Sequence, residues 1–120
     1  MKYLALLTNT EEDRVRWLAM SPEEAASARA QEMPKWNALF EALGPYLLEG
    51  KELDEPAAAK TVRVRDGETI VTDGPYAETK EQIGGFFLLD CEDLDQAIGL
   101  AAKMPVVERA SVELRPIVEH

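Results

Sequence analysis

Two stretches of this chain are apolar at consecutive positions, on both alternating faces, and that pattern places each in the middle of a sheet. In the first, Tyr3 to Thr8, Tyr3, Ala5 and Leu7 fall on one side and Leu4 and Leu6 on the other. In the second, Gly85 to Asp90, Phe86 and Leu88 point one way and Phe87 and Leu89 the other. Side chains of a strand alternate between faces, so a strand apolar on both needs a cover on both.

The remaining segments surround these two strands in a definite order. Thr10 caps a short helix that starts with Glu11-Glu12-Asp13, acids suited to the positive end of the helix dipole. Ser21-Pro22-Glu23-Glu24 opens a longer helix with a capping box and a proline at the first position. Its buried stripe is expected to include Ala25, Ala28, Trp36, Leu39, Phe40 and Leu43, with a kink or break near Met33 before Pro34. Gly44-Pro45 stops it, and Tyr46 to Leu53 reads as a strand. A linker with Pro56 leads to a hairpin of Lys60–Arg65 and Glu68–Thr72 turning at Asp66-Gly67. A two-residue loop sets the register: Arg65 opposite Glu68, Val62 opposite Val71, Lys60 opposite Asp73. Val62, Val64 and Val71 then share one face. After the second central strand, Asp93 and Gln96 start a helix with Leu94, Ala97, Ile98 and Ala101 at helical spacing. Pro105 ends it, and Ala110 to Ile117 forms a last strand, placed at a sheet edge by Pro116.

The order β-α-β-(hairpin)-β-α-β predicts an α+β domain of ferredoxin-like βαββαβ type with an extra hairpin. Its two central strands are the two read as doubly apolar. Two helices cover one sheet face only, so a second subunit is the expected cover for the other, giving a homodimer. A length of 120 residues suits a single domain over 1–120. The net charge of −10 argues against direct nucleic-acid binding and against an anionic membrane surface. No apolar run reaches the length of a membrane span, and one cysteine, Cys91, fits a cytoplasmic location.

Chemistry-bearing residues concentrate in Val71-Thr72-Asp73-Gly74-Pro75-Tyr76-Ala77-Glu78-Thr79-Lys80 and the Gly84-Gly85-Phe86 that follows. Asp73 is a candidate general base or ligand anchor, or simply the acceptor of a turn in which Gly74 allows positive φ and Pro75 fixes the bend. Glu78 is a second candidate acid–base carboxylate, and Lys80 a candidate ligand contact; both equally suit a solvated loop. Tyr3, Trp36, Tyr76 and Phe86 are candidate walls of an apolar pocket, or core and interface residues. Gly84-Gly85 precedes a strand, so it reads as a bulge or close backbone approach and not as a phosphate loop. The single histidine is His120, the last residue, which removes histidine-based acid–base and haem chemistry. Cys91 stands beside Glu92 and Asp93, a setting that raises a thiol pKa. No metal-ligand spacing is present, and no cofactor is expected.

The stretches Val62-Arg63-Val64-Arg65-Asp66-Gly67, Thr72-Asp73-Gly74-Pro75-Tyr76-Ala77-Glu78-Thr79-Lys80-Glu81-Gln82, Gly84-Gly85-Phe86 and Ser111-Val112-Glu113-Leu114-Arg115-Pro116 together resemble the YCII-related family, DGPF subgroup. Tyr76 stands where the subgroup's name has phenylalanine. The resemblance spans nearly the whole chain and implies a dimeric α+β barrel of two facing sheets. It also implies, for some members, a histidine–aspartate pair in a cleft; Gln31-Glu32-Met33-Pro34-Lys35-Trp36 occupies the corresponding helix region here, without a histidine. Subgroup members are often associated with alternative sigma factors. Two functions are therefore expected: a small-molecule-binding or regulatory protein, or a cofactor-independent enzyme in which Asp73 or Glu78 moves a proton.

Overall fold

The computed structural model describes residues 1–75 and 81–120. Tyr76, Glu78 and Lys80 of the central motif lie outside the described residues. The chain runs β1 (Lys2–Thr10), α1 (Glu11–Leu18), α2 (Pro22–Leu43), β2 (Leu47–Glu52), β3 (Lys60–Arg65), β4 (Glu68–Asp73), β5 (Glu81–Asp90), α3 (Leu94–Ala101) and β6 (Val112–Pro116), with short 3-10 turns between several of these. Four strands form one antiparallel sheet in the order β2-β5-β1-β6, while β3 and β4 pair only with each other. The two doubly apolar strands are thus its two central strands, and β6 with Pro116 is an edge. This is the ferredoxin-like arrangement with an added hairpin.

The core lies between the sheet and the helices. Tyr3, Ala5 and Leu7 of β1 and Phe87 and Leu89 of β5 meet Leu39 and Leu43 of α2, Ala97, Leu100 and Ala101 of α3, and Met104 and Val106 beyond it. Leu43 and Leu89 are fully buried. The α2 stripe holds only in its second half, where the sheet lies beneath it. Ala25 and Ala28 are half-buried, and Phe40 is 47% exposed although its ring meets Phe87 edge-on at 5.9 Å. The expected break at Pro34 does not occur, and the helix continues through it. The proline sits in the exposed face of that helix. In α3 the buried residues are Ala97, Leu100 and Ala101, while Leu94 and Ile98 are about half exposed. The inward face is therefore rotated from the expected one, with Leu100 in the core in place of Leu94 and Ile98.

The helix caps form as the sequence indicates. Thr10 Oγ1 accepts from the Asp13 amide at 3.1 Å. Ser21 Oγ accepts from the Glu24 amide, and Glu24 Oε1 accepts from the Ser21 amide, at 3.1 and 3.0 Å. The Ser21 backbone amide first, and the Ser21 side chain second, hydrogen-bond to the Glu24 carboxyl and hold it below its ordinary pKa. Asp93 Oδ1 accepts from the Gln96 amide, and Gln96 in turn takes the Glu92 amide.

The glycine pair both bulges and makes a close approach. Gly85 lies opposite Leu7 and Ile83 opposite Thr8, so Gly84 is the extra residue in β5. A methyl group on Gly85 would stand 2.9 Å from the Lys51 carbonyl oxygen of the neighbouring strand, whereas one on Gly84 would meet the end of the Asn9 side chain. Backbone cannot swing aside as a side-chain amide can. Gly85→Ala is expected to cost about 2 kcal/mol of folding stability through displacement of β2, and Gly84→Ala clearly less. Urea denaturation of the two variants checks the order; equal losses would show that the strand spacing is not what selects glycine here.

Candidate functional site

Among the described residues, the helices pack on one face of the sheet and none covers the second. Leu4 and Leu6 of β1 lie beside Leu88 and Phe86 of β5, all half-buried, and form an apolar floor. In register with this floor are Glu49 and Lys51 on β2, and Glu113 and Arg115 on β6. Arg115 Nε donates to Glu113 Oε2 at 2.8 Å, so part of this charged border is internally paired. The strand period of two puts the core residues on one face and this floor on the other.

One end of the floor is closed by a cluster of oxygen atoms. Thr8 Oγ1 is 3.1 Å from Glu81 Oε1 and 3.2 Å from Ser111 Oγ, and Ser111 Oγ lies 3.1 Å from the same carboxylate oxygen. The Ser111 amide donates to Thr8 Oγ1 at 3.1 Å. Three strands contribute: the end of β1, the start of β5, and the residue before β6. The bulge at Gly84 matters here, because it resets the alternation of β5 so that Ile83 and Glu81 fall on the floor side. Two hydroxyls and a carboxylate, exposed beside an apolar floor, form an acceptor-rich end that suits hydrogen-bond donors of a small, flat molecule.

The sequence-predicted residues divide between separate places. Phe86 belongs to the floor. Tyr3 is 1% exposed on the opposite, helix-covered face, where its ring packs in the core and its hydroxyl lies 3.8 Å from the Met1 sulfur. Tyr3 and Phe86 therefore do not wall one pocket. Asp73 ends β4, with its side chain 84% exposed and ion-paired to Lys60, the partner that the hairpin register indicates. Gly74 takes φ +92° as a turn glycine, and Asp66 and Gly67 take φ 52° and 77° at the hairpin tip. Arg65 faces Glu68 in register, but its guanidinium donates to the Val64 carbonyl.

Sequence reading missed the Thr8–Ser111–Glu81 cluster because its members are 30 to 103 residues apart. It missed a second polar site for the same reason. Asp13, buried at the start of α1, accepts from Arg16 at 2.6 Å and from Arg109 at 3.0 Å, and Arg109 also donates to Glu32 of α2 at 2.8 Å. Burial works against the Arg109 charge, but Glu32 and Asp13 outweigh it and raise the guanidinium above its ordinary value. A groove of about 450 Å³ between α1 and α2 runs past Arg16, Trp17, Gln31, Glu32, Lys35 and Arg109. Its cations are already engaged, Lys35 with Glu108 at 2.9 Å. Cys91 is buried, and that burial, with Asp90 and Asp93 nearby, raises its thiol pKa against the pull of the N-terminal ammonium group. No group of three or more metal-ligating side chains is found among the described residues.

A four-stranded antiparallel sheet with helices on one face and an apolar floor on the other defines a ferredoxin-like α+β protein. The chain belongs to the YCII-related family, whose domain model matches residues 1–120. It is 50% identical over 62 residues to the uncharacterized protein R00369 of Rhizobium meliloti (strain 1021). That match covers 50% of this chain and 50% of the relative, so the aligned part spans about half the relative's length. In structure the chain resembles 5-chloro-2-hydroxyhydroquinone dehydrochlorinase (TftG) from Burkholderia phenoliruptrix AC1100, solved in complex with 2,5-dihydroxybenzoquinone. The TM-score is 0.50 at 14% identity, over 100% of this chain and 96% of that one, and the likeness is one of fold. No helix among the described residues is long and apolar enough to cross a membrane.

Proposed function

We propose that this protein is a small-molecule-binding member of the DGPF subgroup, acting as a homodimer whose two open sheet faces enclose the ligand. The observation that carries the reading is the apolar floor ending in the Thr8–Ser111–Glu81 acceptor cluster. A single sheet face is a floor without walls; a second sheet held farther off than the roughly 10 Å of close-packed sheets would leave a slot for a ring between the two. The cluster favours a neutral hydroxylated ring, which can donate to Glu81 while its plane lies on Leu6 and Phe86. The structural neighbour TftG was solved with an oxygenated six-membered ring, 2,5-dihydroxybenzoquinone, which is a ligand of this general class. Asp73, Tyr76, Glu78 and Lys80 are proposed to rim the cavity from the adjoining loop. A proton-transfer role for Glu81 is a second reading, favoured by its carboxylate contact with two hydroxyls.

Hydroquinone is a direct probe. Titration calorimetry is expected to show sub-millimolar binding to the wild-type protein, weakened roughly tenfold by Glu81→Gln and by Ser111→Ala, about the loss of one hydrogen bond each. Absence of heat at millimolar hydroquinone, or equal binding by all three proteins, would remove the cluster from the site.

A further inference from the structure

The β3–β4 hairpin is an arm without a body. Its strands pair with each other and pack substantially against no other element among the described residues. Yet Val62, Val64 and Val71 lie together on one of its faces and are 62%, 59% and 58% exposed. An isolated two-stranded hairpin is at best marginal in water, so an arm with a valine face needs something to dock on.

Its own sheet cannot supply the dock. The molecule measures 48 × 46 × 20 Å, a slab the thickness of one sheet and one helix layer. A slab this thin leaves no room for the hairpin to be stacked over the floor as a third layer. Its radius of gyration, 16.5 Å, exceeds the roughly 13.5 Å of a compact chain of this length, as a protruding arm requires. Resting on the homodimer reading above, we propose that each arm crosses to the second copy and lays Val62, Val64 and Val71 against the border of that copy's apolar floor, supplying a wall of its ligand cavity. Three valines alone fall well short of the roughly 800 Å² per partner of a stable interface, which argues against the arm holding an unrelated protein by itself. A second copy offers the arm contact twice by symmetry, together with the floor, Leu4, Leu6, Phe86 and Leu88.

The combined variant Val62→Thr, Val64→Thr, Val71→Thr keeps the branched shape that suits strands and removes the apolar contact. Circular dichroism should be unchanged, because these valines contribute nothing to the core. Sedimentation equilibrium is expected to show a dimer dissociation constant raised at least about 100-fold. In wild-type dimers mixed from labelled and unlabelled chains, isotope-filtered spectra should show contacts from the Val62, Val64 and Val71 methyls to the other copy. A wild-type dimer lacking those contacts, with the triple variant equally tight, would overturn the arm exchange and leave the homodimer reading standing. A wild-type protein that is monomeric at micromolar concentration would overturn both.

Discussion

Asp13→Ala is expected to remove about 2 kcal/mol of folding stability, a large fraction of what a domain of this size possesses. Asp13 is the buried charged residue among the described residues, 8% exposed, and each of its oxygens accepts from a different arginine. Removal of one partner from a fully buried ion pair costs about 3–5 kcal/mol, because the other charge stays behind unpaired. That figure is too high here. The Arg16 side chain is 57% exposed and that of Arg109 is 32% exposed, so water can replace much of what the carboxylate supplied. Arg109 also keeps Glu32. The helix cap is not affected, since Thr10 accepts from the Asp13 backbone and not from its side chain. Asp13→Asn, which keeps the shape and one acceptor, should lose about half as much. Urea denaturation measures both. A change within 0.5 kcal/mol for the alanine variant would mean that the arginines are solvated in the native state and that the tie from α1 across Arg109 to α2 is not structural.

Asp13 also shows where sequence reading stops. Its place in the first turn of α1 was legible, since acids there complement the helix dipole. Its burial was not, because burial depends on Arg109, 96 residues away, arriving beside it. The same division runs through the fold. Consecutive apolar residues placed β1 and β5 at the centre of the sheet, and Asp66-Gly67 set the hairpin register down to the Lys60–Asp73 pair, because these are local consequences of strand period and turn chemistry. The phase of α3 was misplaced by one step, because spacing alone does not say which of Leu94, Ile98 and Leu100 meets the sheet. At the candidate site, apolar parity gave Phe86 to one face of β5. It could not assign Tyr3 to the helix side, since helices can cover either face of a doubly apolar strand. Thr8, Ser111 and Glu81 carry no motif, and only the bulge at Gly84, itself legible as a glycine pair, brings Glu81 to the floor.

Leu6→Asp should have the largest effect of any single substitution on self-association. Leu6 sits in the middle of the floor, beside Phe86 and flanked by Leu4 and Leu88 across the β1–β5 pairing. Its side chain points away from the core, so the substitution leaves Tyr3, Ala5 and Leu7 in place, and the isolated subunit should keep its helical and strand content. In a face-to-face dimer the consequence is different. Each copy loses the burial of a leucine, about 2 kcal/mol, and must also desolvate a carboxylate against an apolar surface, which costs more. Two-fold symmetry brings both changes into the same interface, and the two carboxylates would then repel one another as well. The summed loss, at least about 5 kcal/mol, corresponds to several thousand-fold in dissociation constant. Sedimentation of the variant at micromolar concentration should therefore show a monomer with an unchanged circular dichroism spectrum. The floor and the arm can be ranked by the same measurement: the floor substitution should dissociate the dimer completely, while the valine-to-threonine arm should leave a weaker dimer that re-forms at higher concentration. If the aspartate variant stays dimeric with wild-type affinity, the open face is not the contact. The ligand cavity would then have to be sought elsewhere, for example in the groove beside Trp17 and Arg109 on the helix side.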